Sequence, residues 1–212
     1  MKNKTLAFYL LVILLAGCVP VVSLHPLFTK ENIVFDEKLV GTWVKDVNDP
    51  EVTWEFSRLD ESAAVGLLEP WKDQITKFYR LNITDEENHK GSFAACLVKL
   101  GDRLFLDVFA DRFPEGGQDI EKLQFAYNAF FFVPVHTFIR VDSLGEQLAI
   151  RVTDDDRFDE MIQAEPALVK HEMMDDRPIL TASTRELQEF VTKFAGDERL
   201  FPNDLTLQRK RP

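Results

Sequence analysis

Between residues 51 and 153 the chain alternates apolar and polar side chains, segment after segment, with a period of two. That period marks strands with one buried face. Over 51–57 the apolar set is Val52, Trp54 and Phe56; over 75–83 it is Ile75, Tyr79, Leu81 and Ile83, with Lys77 out of pattern. Over 93–100 it is Ala94, Cys96, Val98 and Leu100, and over 103–109 it is Leu104, Leu106 and Val108. The sets Phe131, Val133, Val135, Ile139, Val141 and then Leu148, Ile150, Val152 complete the series. Gly101-Asp102 suits a two-residue hairpin turn. Short strands joined by turns predict an antiparallel meander, closed as a barrel or folded as a sandwich.

The last third changes period. Residues 154–165 read as a short helix capped by one of three aspartates, with Phe158, Met161 and Ile162 on one face. "RPILTAS" reads as a further strand, and Pro178 places it at an edge. "STRELQEFVTKFAGDE" predicts an amphipathic helix near 184–195: Ser183 and Glu186 have capping-box spacing, and Leu187, Phe190, Val191 and Phe194 recur at helical spacing. "QRKRP" closes the sequence as a solvated basic cluster. The predicted fold class is mainly β with C-terminal α. Residues 36–200 form one domain, with 201–212 as a tail. Eighteen phenylalanines supply a substantial core.

At the start, Lys2 and Lys4 precede the unbroken apolar stretch Leu6 to Leu15. Ten apolar residues are too few to span a bilayer, which needs roughly 20, but they suit a secretory signal. Leu15-Ala16-Gly17-Cys18 resembles the lipobox of bacterial lipoproteins. The resemblance implies cleavage before Cys18 and lipid attachment to its sulfur, with residues 1–17 a signal peptide and 18–35 a lipidated tether. Two or more acyl chains anchor a protein stably. Loss of residues 1–17 removes two lysines and takes the formal net charge from −11 to −13. Such a surface repels nucleic-acid phosphates and disfavours lying flat on an anionic leaflet, so the body is expected to stand off from the membrane. The expected location is the bacterial cell envelope. Val19 rather than aspartate follows the cysteine, which under enterobacterial sorting implies the outer membrane, facing the periplasm. Cys96, alone in the mature chain and inside an apolar run, reads as a buried inert thiol.

Gly41-Thr42-Trp43 resembles the G-x-W element of lipocalins and related small barrels. A short helical turn precedes it, which Asp36 can cap. The resemblance implies that the meander closes as a lipocalin-like β-barrel and that Trp43 plugs its closed end. It also implies an arginine from near the last strand packed on that tryptophan, for which Arg140, Arg151 and Arg177 are candidates. "HPLFT", "LVGTW" and "LTASTRELQ" further resemble a group of uncharacterised bacterial lipoproteins, over most of the mature chain, and imply no particular activity.

No motif for catalysis, phosphate binding or redox chemistry occurs, and no cofactor or metal is expected. "HEMMD" at 171–175 has aspartate where a zinc-protease helix needs its second histidine. "TDDDRFDE" lacks the glycine and distal glutamate of a calcium loop, and reads as helix capping with a solvated face. In "FFFVPVHTFIRV" the odd positions are apolar, so Phe132, Pro134, His136, Phe138 and Arg140 share the other face. That face is a wet lumen, an interface, or an exterior covered by the helix. His136, Phe132, Phe138 and Arg140 are the candidate ligand-binding residues. The expected function is non-catalytic binding of a small apolar ligand or an envelope component. The alternative is a structural or assembly lipoprotein that holds another envelope protein. An enzyme would require His136 gathered with a carboxylate such as Asp107 or Asp142.

Overall fold

The computed structural model describes residues 20–48, 51–59, 66–110, 133–175 and 177–210. The signal segment, Cys18 and Phe132 lie outside the described residues. The elements in chain order are β1 (Val22–Ser23), β2 (Ile33–Val34), β3 (Gly41–Val44), β4 (Thr53–Arg58), β5 (Phe78–Thr84), β6 (Lys90–Leu100), β7 (Arg103–Phe109), β8 (His136–Leu144) and β9 (Gln147–Val152). Then follow α1 (Asp155–Ala164), β10 (His171–Met174), β11 (Arg177–Leu180), α2 (Thr184–Lys193) and β12 (Asn203–Arg209).

The alternating segments close into an antiparallel barrel of 8 strands. β3 through β9 pair in sequence order, and β12 bridges β9 and β3 to seal the ring. The register slips by about a dozen residues on one circuit, so the strands are steeply tilted and the lumen is wide for their number. The predicted helices form at 155–164 and 184–193. Asp154 caps the first by accepting from the Arg157 N–H, and the Ser183–Glu186 capping box starts the second.

Two apolar layers result. Inside the barrel lie Trp43, Phe56, Tyr79, Leu81, Leu97, Leu106, Ile139, Ile150 and Leu207, all buried. Outside, one wall of β5–β8 carries Phe78, Ala94, Cys96, Val98, Phe105 and Phe138. α1, α2 and the N-terminal segment cover that wall with Phe158, Leu187, Phe190, Val21 and Phe28. β6 is therefore buried on both faces from Ala94 to Val98, and the set read from its alternation is the outer one. Lys77 fell out of pattern because Gly66–Lys77 is a run of 3-10 turns and β5 begins only at Phe78.

Three expectations are corrected. From Pro20 onward the supposed tether belongs to the body. Val21, Leu27, Phe28 and Ile33 are buried, and β1 and β2 pair with β8, β11 and β6. The supposed tail contains β12, without which the ring stays open. β11 is an inner strand rather than an edge, because β10 pairs along its far side.

The arginine on the tryptophan is none of the three candidates. Arg209, at the end of β12, lies over the Trp43 ring, 4.3 Å from its centroid. It donates to Val40 O at 2.7 Å and to Lys38 O. Trp43 Nε1 in turn donates to Leu39 O at 2.8 Å. The 3-10 turn Glu37–Leu39, capped by Asp36, is thus stapled across one barrel end. Gly41 is required twice over: its φ is +130°, and a Cβ there would stand 2.6 Å from Arg209 Nη1.

Candidate functional site

β8 presents the sequence-predicted residues on the outer wall of the barrel, under the cover. His136 Nδ1 donates to Asp107 Oδ1 at 2.7 Å across β7–β8, and the Asp107 side chain is fully buried. The second oxygen, Asp107 Oδ2, accepts the Leu27 N–H at 2.7 Å. The His136 ring packs against Phe109 and edge-on to Phe28. His136 is thus gathered with one of the carboxylates an enzyme would need. The neighbouring hydroxyl is committed elsewhere: Ser23, paired with His136 in β1, donates to His25 O at 2.9 Å and accepts the His25 N–H. The arrangement holds the N-terminal segment to the barrel wall. Gln188 of α2 adds a grip by donating to Leu27 O at 2.8 Å, and Thr153 Oγ1 accepts the Val21 N–H.

Phe138 is buried against Phe201. Arg140 donates to Asp142 Oδ1 at 2.6 Å and to Ala195 O, just past the end of α2. A cation there also meets the negative end of the helix. The Arg140 hydrogen bonds to both of its oxygens, with a further one from Arg151, hold the Asp142 carboxyl below its ordinary range. Arg140 therefore ties barrel wall to helix.

Cys96 sits beside Asp107 on the same wall and is fully buried. Burial pushes its thiol well up, and the Asp107 charge adds to the effect. A thiol reagent should leave Cys96 unmodified in the folded protein and modify it at the rate of global unfolding; fast labelling under native conditions would show that the cover opens locally.

The lumen has two unlike ends. At the plugged end, Phe35 stacks on Tyr79 at 4.8 Å, and the Tyr79 hydroxyl donates to Asp36 O and accepts the Asp36 N–H. Burial pushes that phenol up. Leu104 and Leu144 are half-buried there, beside the hairpin turns. At the other end, among the described residues, the inward side chains towards the loops include Trp54, Ile83, Phe93, Thr137, Val152 and Leu205, contributed by β4, β5, β6, β8, β9 and β12. All six are only half-buried, whereas the inward residues one layer deeper are buried. The Thr137 hydroxyl oxygen is itself buried and makes no hydrogen bond. A buried polar atom without a partner is uncommon and calls for an explanation.

This mouth was missed in sequence. Its one signal was the gap in the odd-numbered apolar series of β8, where Thr137 replaces a hydrophobe between Val135 and Ile139.

The remaining sequence candidates fall into structural roles. Oxygens of Asp154, Asp155 and Asp156 lie within 4.8 Å of one another, at the capped start of α1. Burial, then the charge of Asp156, raises the Asp155 carboxyl. "HEMMD" begins strand β10, so His171 and Asp175 do not share a helix face, and His171 Nδ1 donates to Val169 O at 2.9 Å. No protein-family model, no curated protein and no solved structure matches the chain.

Proposed function

We propose that this chain is a lipid-anchored lipoprotein of the bacterial cell envelope, acylated on Cys18, whose barrel binds one small apolar molecule at the mouth opposite its Trp43 plug without transforming it. The observation that carries the binding reading is the contrast between the two barrel ends. One is stapled shut by Trp43 and Arg209. The other, among the described residues, is a ring of half-buried and mostly apolar side chains that includes the unpartnered Thr137 hydroxyl. An eight-stranded barrel has room for side chains alone or for one small ligand, and binding sites are typically apolar with a few placed polar groups. Here the deeper layers are filled by side chains, so a ligand would lie across the mouth, and the lining suits an acyl chain or a small flat hydrophobe with one polar atom for Thr137. The outer face of β8 serves this reading as support: His136, Phe138 and Arg140 lock the covering segment and helices in place. The anchor reading rests on the order of basic start, apolar run and Leu15-Ala16-Gly17-Cys18.

The test is titration of the full chain, made unacylated by Cys18→Ser, with a fluorescent fatty acid. Saturable binding with a change in Trp54 emission is expected. Ile83→Glu places a charge in the mouth and should weaken binding about tenfold, roughly 1.4 kcal/mol, with the melting temperature nearly unchanged. Thr137→Val should weaken a ligand with a polar head and leave a bare hydrocarbon unaffected. Absence of saturable binding, or equal binding by Ile83→Glu, would remove the mouth as the site.

A further inference from the structure

We propose that the β10–β11 hairpin is a prong that enters the bilayer surface beside the lipid anchor, with Met173 and Met174 in the boundary between headgroups and acyl chains. The inference rests on acylation of Cys18 as proposed above, and goes beyond it to name the face of the protein that meets the lipid.

The argument begins with strand direction. β1 and β11 are parallel, with Val22 opposite Ile179. Two residues back along each strand bring the chain to Pro20 level with Arg177, and Arg177 is paired with Met174 across the hairpin. Traced back from Ser23 to Pro20, the chain therefore runs in the direction the hairpin tip points. β10 stands two strands from β1, about 10 Å at ordinary strand spacing. Cys18 precedes Pro20 by two residues, which span at most about 7 Å. Val21 is buried and its N–H is held by Thr153, so the body is fixed up to that residue.

The second observation is the tip itself. Met173 and Met174 are 48% and 63% exposed, among the few large hydrophobics left open on the described surface. Neighbours on a strand point to opposite faces, so both being exposed means that the tip stands clear of the body on both sides. Methionine is flexible and polarisable and suits a disordered apolar medium.

The charged groups limit the lipid. Glu172 and Asp175 on the hairpin are exposed, and Asp155 reaches Arg177 at 3.9 Å. Lys170 is paired with Glu186 at 2.7 Å. With these acidic neighbours and the net charge of the mature chain, the prong fits a zwitterionic leaflet rather than an anionic one.

The experiment uses the acylated full chain carrying Met174→Cys, labelled with an environment-sensitive fluorophore, in phosphatidylcholine vesicles with or without brominated acyl chains. Buried Cys96 stays unlabelled. Glu87→Cys, at the exposed turn between β5 and β6, is the control. The probe at 174 should shift to the blue and be quenched by brominated lipid several-fold more than the probe at 87. If both probes report water while the protein floats with the vesicles, the prong is wrong and the anchor stands. A probe at 174 that is shielded in native envelopes but wet in pure vesicles assigns the tip to a protein partner and also overturns the inference. Incorporation of labelled palmitate into the chain, lost in Cys18→Ser, tests the anchor separately; its failure removes both readings.

Discussion

Arg209→Ala is expected to destabilise the barrel by about 2–4 kcal/mol in urea unfolding. The guanidinium's stacking on an aromatic ring is worth about 1–2 kcal/mol, and a hydrogen bond from a charged group at most about 1.5–3 kcal/mol, less at the exposed Lys38 carbonyl. These terms are not additive, because all three contacts are made by one side chain. Trp43→Ala should cost about 3–5 kcal/mol, as for other large aromatic truncations in cores. The informative quantity is the double mutant. Because Arg209 covers Trp43 directly, the pair should couple by about 1–2 kcal/mol. Lysine at 209 should recover little, since a point charge cannot serve the ring and two carbonyls together. Additive losses, or a cost for Arg209→Ala below about 0.5 kcal/mol, would mean that the staple is incidental to stability.

The second large effect is expected at Asp107. Asp107→Ala leaves the Leu27 N–H and His136 Nδ1 without their acceptor in a largely buried place. Each buried donor left unsatisfied costs about 1–3 kcal/mol, so the loss should be about 2–5 kcal/mol. The loss should be local before it is global. Amides from Val21 to Phe28 should exchange through a sub-global opening in Asp107→Ala, while the β4–β5–β6 ladder keeps global protection. His136→Ala should act on the same segment but less, because Asp107 keeps the Leu27 N–H. Uniform loss of protection over the whole chain would show that the clamp and the barrel are one cooperative unit.

Much of the fold could be read from period-two alternation, because each barrel strand has one face in the lumen and the turns between strands carry their own signals. Gly101-Asp102 does turn β6 into β7, with Gly101 at φ +62°. The helices were legible from caps and spacing. What was not legible is burial on both sides. β6 reads as alternating, yet Ala95 and Leu97 fill the lumen while Cys96 and Val98 fill the outer layer. The same limit hid the site. His136 and Phe138 stood out by type, but the outer wall they share is covered by Val21–Phe28 and α2, segments distant in sequence that no local period can place. Arg209 was unreadable for a related reason. A basic cluster at a chain end looks solvated, and only the pairing of β12 with β3 reveals its partner. The mouth is defined by depth along tilted strands, which depends on register between strands rather than on any one of them.

The position of β12 also bears on how the molecule is made. Its arginine reaches the Val40 carbonyl across 169 positions of chain. β3 must therefore wait for the last strand before the seam between them can close. Until then β3 and β9 are open edges, and the lumen's apolar lining faces water. Long-range pairing of this kind is slow and leaves a chain vulnerable to association while it waits. The insertion between β9 and β12, which holds α1, β10, β11 and α2, gives the waiting chain something to do: it packs on the outer wall of β5–β8 and fixes that half of the cylinder first. Assembly should then run from the covered wall outward. The seam would be the last contact formed and, when the protein is stressed, the first to part.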